Sequence, residues 1–591
     1  MKRRGVTERS AMKILPLLLL FSASGRNAAS AFSLRMASDG TATNRSARLP
    51  TPSRIKKTQN WREAADLSSK FRNEETQTKK KVAIIGGGLS GLACAKYLAD
   101  AGHEPTVYEA RGVLGGKVSA WQDEDGDWIE TGLHIFFGAY PHMMNLFEEL
   151  DIEKRLQWKE HRMTFAMQEL PGQFTSFEFP PGVPAPFNMA AAILTNTKML
   201  TLEEKVRMVP GLLPMLLEGQ SFIDAQDELS VAEFMKKYGM PERINEEIFV
   251  AMGKALDFTD PDKLSMSVIL TAMNRFINEA DGSQTAFLDG NQPARLCQPM
   301  VDHITARGGR VLTGMPIASI EVHPADNSVT RLLLADGTAV EADCYVSAMP
   351  VDVLKRLIPA RWSPLPYFRQ LAELEGIPVL NLQLWFDRKL RSVDGLCFSR
   401  SPLLSVYADM PTRCAEHASN TRLMLELVFA PAIEAVGANR NWLAPSNEEI
   451  IDATLGELER LFPTKIGPRV PGRGAQVLKA TVVRVPRSVY ATTPGRNKFW
   501  PRQASPIHNF FVAGDFAAQK YLGSMEGAVL SGKLAAEAVC DAAAGRKSGE
   551  VRVVHESIKA GNEREPVGIR GNHPIAFGGG QMKAGPNPGH P

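Results

Sequence analysis

Apolar and polar positions follow different periods in different parts of the chain. The short β-branched run Val82–Ile85 leads into a glycine-rich turn and then into a stretch with helical spacing. From about residue 150 to residue 290, apolar positions recur mostly at helical spacing. Strand-like alternation returns later, in Val379–Phe386, Leu423–Phe429 and Val477–Val485. The pattern predicts an α/β fold whose later part contains an antiparallel sheet.

The turn after Val82–Ile85 carries Gly86, Gly88 and Gly91 at the spacing G-x-G-x-x-G. In a dinucleotide-binding unit the first glycine permits the tight turn, the second lets the backbone approach a pyrophosphate, and the third allows close helix–strand packing. The start of the following helix offers free N–H groups to the phosphate. A second short strand ends at Glu109, near the place of the acid that binds a ribose hydroxyl. The glycines alone would fit an ordinary turn, but the whole set predicts a Rossmann-like nucleotide-binding unit.

Length and charge limit the classes of protein to which the chain can belong. Its 591 residues and 44% hydrophobic content suit a large globular core. The formal charge of +3 is unevenly distributed, because residues 1–60 contain twelve Lys and Arg against Glu8 and Asp39. The remainder of the chain is therefore acidic by about seven charges. An acidic body gives no support for nucleic-acid binding.

The N-terminal residues have the composition of targeting segments. A basic start precedes the apolar run Ile14–Phe21, which is too short to span a bilayer and has the length of a secretory h-region. Small residues at Ala29–Ala31 offer a cleavage site before Phe32, and an acid-poor segment rich in Ser, Thr and Arg follows. We interpret residues 1–31 as a signal peptide and 32–78 as a transit peptide and linker. This order resembles the bipartite presequence of complex algal plastids, and plain secretion is the alternative.

Cysteine spacing and hydropathy argue against a disulfide framework, a zinc site and a transmembrane helix. The six cysteines are scattered without a C-x-x-C pair, so they predict neither a disulfide framework nor a zinc site. Outside the presequence no run reaches the roughly 18 apolar residues of a transmembrane helix, so any membrane contact is expected to be peripheral. The oily stretch Pro210–Leu217 is interpreted either as buried core or as a surface that dips into a membrane.

Two polar residues lie in apolar surroundings. His134 belongs to the glycine- and aromatic-rich stretch Glu130–Pro141. Histidine titrates near neutral pH, which would suit acid–base catalysis. The neighbours are apolar, however, and the sequence identifies no acid partner. We therefore interpret this stretch as backbone that packs against a flat ring. Arg275 lies in an apolar helical segment, where the ordinary explanation is a paired or snorkelling arginine.

A second nucleotide-binding motif is predicted near the end of the fold. Phe510–Asp515 reads as a strand that ends in Gly-Asp, and Gly523–Ala536 reads as a helix rich in small residues. The positive end of such a helix stabilises negative charge. We expect this motif and the N-terminal glycine turn to meet at one cofactor.

The segment Glu109–Lys117, E-A-R-G-V-L-G-G-K, resembles the second motif of the flavin-dependent amine oxidase and carotenoid desaturase superfamily. From about Lys81 to Val539 the chain resembles the plant and cyanobacterial 15-cis-phytoene desaturases. It departs from them at Phe516-Ala517-Ala518, where that family usually has Tyr-Thr-Lys. The segments that carry the resemblance are His134–Pro141, Arg155–His161, Leu288–Ile304, Pro486–Tyr490 and Gln519–Lys533.

The resemblance implies an FAD-dependent oxidoreductase of carotenoid biosynthesis. It would desaturate 15-cis-phytoene through phytofluene to a cis-ζ-carotene, with plastoquinone as electron acceptor. Because hydride transfer belongs to the flavin, we expect no catalytic acid or base and no metal. A substrate or quinone pocket would be lined by Phe137, Tyr140 and Arg275. The residues expected to bind FAD are Gly86, Gly88, Ser90, Gly91, Glu109, Ala110, Arg111, Gly116, Lys117, His134, Ile135, Asp515 and Met525.

The order of the motifs predicts domains that are discontinuous in sequence. The expected fold is an α/β Rossmann-like FAD-binding domain, with an interleaved antiparallel-sheet substrate domain and a helical membrane or lid region. The predicted ranges are 79–150, 291–360 and 496–540 for the FAD-binding domain, 151–290 for the helical region, 361–495 for the substrate domain and 541–591 for a flexible tail.

Related proteins supply the alternatives. ζ-Carotene desaturase, protoporphyrinogen oxidase and amine oxidases share the FAD motifs and the architecture, and a non-enzymatic relative of the Rab-GDP-dissociation-inhibitor kind would bind a lipidated protein without flavin. The resemblance further implies a hydrophobic carotenoid substrate and a peripheral position on a plastid membrane. It leaves open whether the protein forms a homo-oligomer.

Overall fold

A computed structural model describes most of the chain between residues 52 and 546. All described residues lie in the first of two units, Met1–His555, and the second, Glu556–Pro591, lies outside them. The predicted signal peptide, the start of the predicted transit peptide and nearly all of the predicted tail also lie outside the described residues. The described ranges are 52–73, 78–167, 172–180, 183, 185–279, 281–389, 395–418, 422–432, 440–463, 466, 474–521 and 523–546.

Helices occur throughout the described chain, with an unbroken series of them between Phe187 and Asn278. In chain order the α-helices are α1 Pro52–Ile55, α2 Gln59–Asn73, α3 Leu89–Asp100, α4 Pro141–Glu149, α5 Phe187–Thr195, α6 Leu202–Glu218, α7 Gln220–Asp224, α8 Val231–Tyr238, α9 Glu242–Ile244, α10 Val250–Asp257, α11 Met266–Asn278, α12 Gln298–Ala306, α13 Val351–Leu357, α14 Pro366–Arg369, α15 Met410–Arg413, α16 Asn447–Leu461 and α17 Met525–Ala543. Short 3₁₀ segments are Gly116–Val118, Glu153–Arg155, Gln370–Glu373, Ala415–His417 and Asn497–Phe499, and π segments are Asn245–Phe249 and Pro293–Cys297.

The strands are distributed over several sheets. In chain order they are β1 Lys81–Ile85, β2 Glu104–Tyr108, β3 Ala120–Gln122, β4 Trp128–Glu130, β5 Phe136–Phe137, β6 Leu156–Trp158, β7 Arg162–Ala166, β8 Phe174–Glu178, β9 Thr285–Leu288, β10 Arg310–Leu312, β11 Ile317–Val322, β12 Val329–Leu334, β13 Ala339–Val340, β14 Cys344–Ser347, β15 Val379–Phe386, β16 Leu396–Ser399, β17 Leu404–Asp409, β18 Leu423–Phe429, β19 Val477–Val485 and β20 Phe510–Val512.

A parallel sheet in the order β10-β2-β1-β14-β20 forms the base of the predicted nucleotide-binding unit. Strand β1 pairs with both β2 and β14, and β20 pairs with β14. Helix α3 joins β1 to β2, as a parallel connection requires. Because the carboxyl ends of parallel strands meet at one edge, the turns after β1, β2 and β20 are brought together there.

A mixed, mainly antiparallel sheet in the order β19-β15-β18-β17-β16-β7-β8 lies elsewhere in the unit. The predicted strands Val379–Phe386, Leu423–Phe429 and Val477–Val485 are β15, β18 and β19 with the predicted bounds. The two sheets confirm the predicted fold class. The exact domain boundaries stay a prediction.

The region 151–290 combines helices with the strands β6 to β9. Its helices pack around a core of aromatic and sulfur-containing side chains, among them Met215, Phe234 and Phe249. Helix α6 starts at a capping box formed by Thr201 and Glu204, and it continues through both prolines of the oily stretch. The part of the chain that the structure describes contains no helix long and apolar enough to cross a membrane. The role of this region as a lid or membrane surface stays a prediction.

Helix α2 differs from the prediction of a transit peptide and linker at 32–78. The helix buries Ala64, Ser68 and Phe71, and the ring of Phe71 lies 5.1 Å from that of Tyr97 on α3. The ammonium group of Lys533 on α17 is fully buried and donates to Ser68 Oγ at 2.7 Å. The folded chain therefore begins well before the predicted boundary at residue 79. Sequence reading missed this because α2 is polar on average and packs only on distant segments.

Candidate functional site

The glycine turn after β1 has the geometry that phosphate binding needs. Gly86 has φ +112°, which a side chain would strain. A Cβ atom on Gly91 would lie 2.0 Å from the carbonyl oxygen of Gly86, so only glycine permits this approach of helix and turn. Gly88 caps helix α3, and no side chain caps the helix there. The first N–H groups of α3, beside the buried Ser90, are thus oriented for an anion.

Glu109 fixes the second strand end to the glycine turn. Its carboxylate is buried and accepts hydrogen bonds from the backbone N–H groups of Gly87 at 2.7 Å and Arg111 at 2.9 Å. The guanidinium of Arg111 in turn donates to the carbonyl of Gly116 at 2.9 Å. Ala110 is exposed beside them. This arrangement leaves a buried carboxylate next to the turn, as ribose binding requires.

The C-terminal motif reaches the same edge of the sheet. Asp515 follows β20, and its carboxylate pairs with the ammonium of Lys117 at 2.6 Å. The N–H of Gly514 donates to Ser531 Oγ at 3.0 Å, which ties the strand end to helix α17. Met525 is the first residue of α17. The two distant motifs therefore meet at one place.

His134 has the acid partner that the sequence analysis did not identify. Its Nδ1 lies 3.0 Å from Oε2 of Glu130, and its Nε2 lies 3.2 Å from the carbonyl oxygen of Lys117. Glu130 is therefore an acid partner of His134 that the sequence did not identify. The spacing of four residues was visible in the sequence, but spacing alone did not show that the two side chains meet. Ile135, next to it, packs against Phe287 and its neighbours.

Of the three residues predicted to line a substrate or quinone pocket, Phe137 and Tyr140 are in ring contact, and Arg275 precedes Phe276, whose ring contacts that of Phe137. The ring of Phe137 lies 5.5 Å from that of Tyr140 and 5.2 Å from that of Phe276. Arg275, next to Phe276, is buried, and its guanidinium carbon lies 5.1 Å from the ring centre of Tyr521. Within the described residues, Nε and Nη2 of Arg275 have no hydrogen-bond partner. The expectation of a paired arginine is therefore not met for these two atoms.

Two buried acids, Glu526 and Asp257, were not singled out by the sequence. The carboxylate of Glu526 accepts hydrogen bonds from the N–H groups of His142 and Met143, each at 2.9 Å. Burial raises the pKa of Glu526 to about 7. Asp257 ends helix α10, and Tyr490 is buried against Gly523. These side chains are buried by segments that are distant in sequence, so the local sequence offered no signal for their burial.

Replacing Asp257 by Asn is expected to flatten the dependence of stability on pH. Burial, with a smaller contribution from the charge of Asp515, raises the pKa of Asp257 from 3.8 to about 7. Between these values the unfolded state loses the proton while the native state keeps it, so wild-type stability falls as pH rises. The loss is about 1.4 kcal/mol per pH unit, or roughly 4 kcal/mol in all.

Urea unfolding at pH values below 4 and above 7 measures this difference. The free energy of unfolding of the Asp257→Asn variant should equal that of wild type at the lower pH and exceed it at the higher pH. If the free energy of unfolding depends on pH in the same way in both proteins, Asp257 is ionised in the native state.

The described residues fit FAD. The start of α3, which no side chain caps, is suited to the diphosphate, and the Glu109 carboxylate is suited to a ribose. The edge that carries Asp515, with the start of α17, is suited to the flavin half of the molecule. These features define a flavin-dependent oxidoreductase with two nucleotide-binding motifs. The assignment of each predicted FAD residue stays a prediction.

Comparison with known proteins agrees with this class. The family model described as flavin containing amine oxidoreductase matches residues 89–540. The solved structure of putrescine oxidase bound to putrescine superposes with a TM-score of 0.58 at 15% identity, over 78% of this chain and 99% of that one. At this identity the likeness concerns the fold.

Curated relatives define the family more narrowly. The chain is 54% identical over 484 residues to the 15-cis-phytoene desaturase of Capsicum annuum, covering 82% of this chain and 81% of the relative. It is 55% identical over 464 residues to that of Synechococcus elongatus, covering 78% and 95%. The zeta-carotene desaturase of Synechocystis is only 31% identical, over 78% of this chain and 97% of that protein. The chain belongs to the 15-cis-phytoene desaturase family of flavin-containing oxidoreductases.

Proposed function

We propose that this chain is an FAD-dependent desaturase that converts 15-cis-phytoene through phytofluene to a cis-ζ-carotene and passes the electrons to plastoquinone. The observation that carries the proposal is the meeting of the glycine turn, Glu109 and Asp515 at one sheet edge, in a chain more than half identical to phytoene desaturases. Bound FAD would accept the hydride. The protein's part is to bind, to orient and to exclude water.

Substrate binding rests on apolar side chains. Phytoene is an uncharged hydrocarbon, so its affinity comes from burying apolar area at about 25 cal/mol per Å². The Phe137, Tyr140 and Phe276 rings form an apolar wall of this kind. Burial raises the pKa of the Tyr140 hydroxyl, so this residue stays neutral and adds no charge to the pocket.

Arg275 supports a quinone as the electron acceptor. Two of its buried N–H-bearing atoms lack partners among the described residues, and such groups are costly unless a ligand satisfies them. A quinone carbonyl is an acceptor of suitable chemistry, and the flat ring would lie against the neighbouring aromatic side chains. We therefore assign the acceptor site to the surroundings of Arg275.

One face of helix α6 supports peripheral attachment to a membrane. Leu202 is 64% exposed, Val206 47% and Leu217 38%, and all three lie on the side opposite the buried Met208 and Met215. A stripe of exposed apolar side chains on a helix suits insertion into the interfacial region of a bilayer. The chloroplastic names of the plant relatives and the predicted presequence support a plastid membrane.

Changing Leu202 and Val206 to Glu is expected to reduce binding to vesicles of phosphatidylcholine and phosphatidylglycerol by at least about tenfold. Each substitution removes apolar area worth about 1 kcal/mol or more in the interface. Co-sedimentation measures the bound fraction. The matched control is Leu478→Glu, because Leu478 is 54% exposed on β19. If the control loses as much binding as the α6 variant, this face is not the attachment site.

The function is tested with the chain from Pro52 onward. Its visible spectrum is recorded, and 15-cis-phytoene in liposomes is then added together with a plastoquinone analogue. Bound flavin with formation of phytofluene and ζ-carotene is the expected result. Flavin without conversion of phytoene would overturn the substrate assignment, and ζ-carotene, which the 31% identical relative is named for, would be tested next. Conversion of phytoene that proceeds only with an artificial dye would overturn the assignment of a quinone as the electron acceptor.

A further inference from the structure

A pocket of about 250 Å³ lies between the turn that joins β6 to β7, the start of β9 and helix α15. One water molecule occupies roughly 30 Å³, so the pocket has room for a small ligand. None of its lining residues is among those predicted to bind FAD, substrate or quinone. Three of them are basic, namely Lys159, Arg162 and Arg413, and one, Glu160, is acidic.

Lys159 is fixed at this pocket through its backbone and through its ammonium group. Its N–H donates to the carbonyl oxygen of Thr285, the first residue of β9, at 3.0 Å. Its Nζ donates to the carbonyl oxygen of Thr412 on α15 at 3.1 Å. Within the described residues Nζ forms no other hydrogen bond and no ion pair. Because an ammonium group has three N–H donors, two of them remain for a ligand.

The charge beside Lys159 is positive. Burial, together with the charge of Arg413, lowers the pKa of Lys159 to about 8. The other titratable neighbour in the described part of the chain is the thiol of Cys414, whose pKa burial raises to about 12, so it is neutral at neutral pH. A half-buried cation beside a second cation is costly, and an anion bound to both would offset that cost.

Arg413 and Arg162 extend the positive charge along the pocket. A Cβ atom on Gly395 would collide with Nη2 of Arg413, so the glycine leaves the room that the guanidinium occupies. Arg162, the first residue of β7, is exposed, and no carboxylate of the described residues forms an ion pair with it. With Lys159, three cations thus stand against the single carboxylate of Glu160, and the lining has a net positive charge.

We propose that this pocket binds an oxyanion of the phosphate type, held by the ammonium group of Lys159 and the guanidinium groups of Arg413 and Arg162. A guanidinium group can bind two oxygens of such an anion, and an ammonium group binds a further oxygen as a point charge. Trp158 and Leu396 add apolar surface to the same pocket. The ligand is therefore a free phosphate ester or the headgroup of a phospholipid, which present the same chemical group.

Calorimetric titration of the FAD-loaded protein with sulfate tests this site. Sulfate has the shape of phosphate, and bound FAD keeps it away from the glycine turn. Lys159→Met is expected to weaken sulfate binding at least about tenfold, because charge-assisted hydrogen bonds are lost. The matched control is Lys154→Met, which removes the same charge from an exposed residue outside the pocket and should change the affinity less than about twofold. Equal losses in both variants, or none in Lys159→Met, would overturn the proposal.

Arg162→Gln keeps the test independent of the folding of Lys159→Met. Arg162 is exposed, so its replacement leaves the core unchanged. Loss of one guanidinium group at the rim of the pocket is expected to weaken sulfate binding at least about threefold. An unchanged affinity in this variant would contradict the proposed role of Arg162.

The dependence of sulfate affinity on pH is a second readout. Lys159, with a pKa of about 8, is mostly protonated at about pH 7 and mostly neutral at about pH 9, whereas sulfate keeps both charges. The wild-type affinity is therefore expected to fall about tenfold over this interval. Lys159→Arg stays charged throughout and should lose less than about threefold. The same fall in both proteins would exclude Lys159 as a ligand of the anion.

Glycerol phosphate and monomeric dihexanoylphosphatidic acid distinguish the two sources of the phosphate group. Both carry a phosphate monoester, and only the lipid has acyl chains to place against Trp158 and Leu396. Binding of the lipid that is tighter by about tenfold or more identifies a headgroup site, and equal or weaker binding identifies a site for free phosphate esters. Binding of neither would overturn the proposal. The titrations use no phytoene and no quinone, so a chain that does not desaturate phytoene still gives a valid answer.

Discussion

Removing residues 52–78 is expected to leave a chain that neither folds stably nor retains FAD, whereas a chain that begins at Pro52 does both. Helix α2 covers core with Phe71 and Ala64, and burying one such aromatic side chain contributes about 1.5–3 kcal/mol. The same helix supplies Ser68 to the buried ammonium of Lys533 and Glu63 to that of Lys520, at 2.7 and 2.5 Å. Leaving a buried charge without its partner costs about 3–5 kcal/mol.

Flavin absorbance per protein and the urea midpoint measure this effect. A chain from Lys79 that equals the longer chain in both would refute the role of α2. Two point variants separate buried from exposed contacts. Glu63→Gln should cost about 1–3 kcal/mol, because Glu63 is itself 31% exposed, and Glu537→Gln, the partner of exposed Lys70, should cost less than about 1 kcal/mol.

Replacing Gly91 by Ala is expected to abolish FAD binding and to destabilise the apoprotein by several kcal/mol. The new methyl group would lie 2.0 Å from the carbonyl oxygen of Gly86 and 3.2 Å from Cβ of Ala348, so β1, α3 and the segment after β14 would have to separate. Overpacking in a close-packed interior typically costs about 1–3 kcal/mol, and a clash with backbone costs more.

Two other glycines make this prediction specific. A Cβ atom on Gly88 would meet only ordinary contacts, the nearest at 3.6 Å from Gly116, so Gly88→Ala should fold normally. It should lose FAD affinity, because the second glycine of this motif lets the backbone approach a pyrophosphate. Gly112→Ala has open space and should change neither property. Unfolding midpoints of the apoproteins and FAD titrations separate the three cases. Normal FAD affinity in Gly88→Ala would exclude this turn as the phosphate site.

Features determined by local backbone could be predicted from the sequence, and features determined by distant burial could not. The glycine turn and the strands β15, β18 and β19 follow from short-range spacing, so their positions were predicted correctly. Asp257 and Lys533 acquire their properties only when remote segments surround them. The pair of Glu130 and His134 lies between these cases, because its four-residue spacing is local but its burial is not.

Helix α6 shows a further limit of local rules. Pro210 and Pro214 predict an interruption, yet the helix runs from Leu202 to Glu218. Its buried face, with Met208, Gly211 and Met215, packs against the helical core, and this packing outweighs the hydrogen bonds lost at the prolines.

The parallel sheet that forms the predicted cofactor site has a consequence for the order of events during biosynthesis. Its central strands come from widely separated parts of the chain, and β20 with Asp515 lies near the end of the folded region. Such long-range pairing closes late and slowly. A ribosome therefore releases almost the whole polypeptide before the site is complete, and FAD is acquired only afterwards. A precursor that stays open in this way can be threaded through a translocation pore and receive its cofactor at the destination.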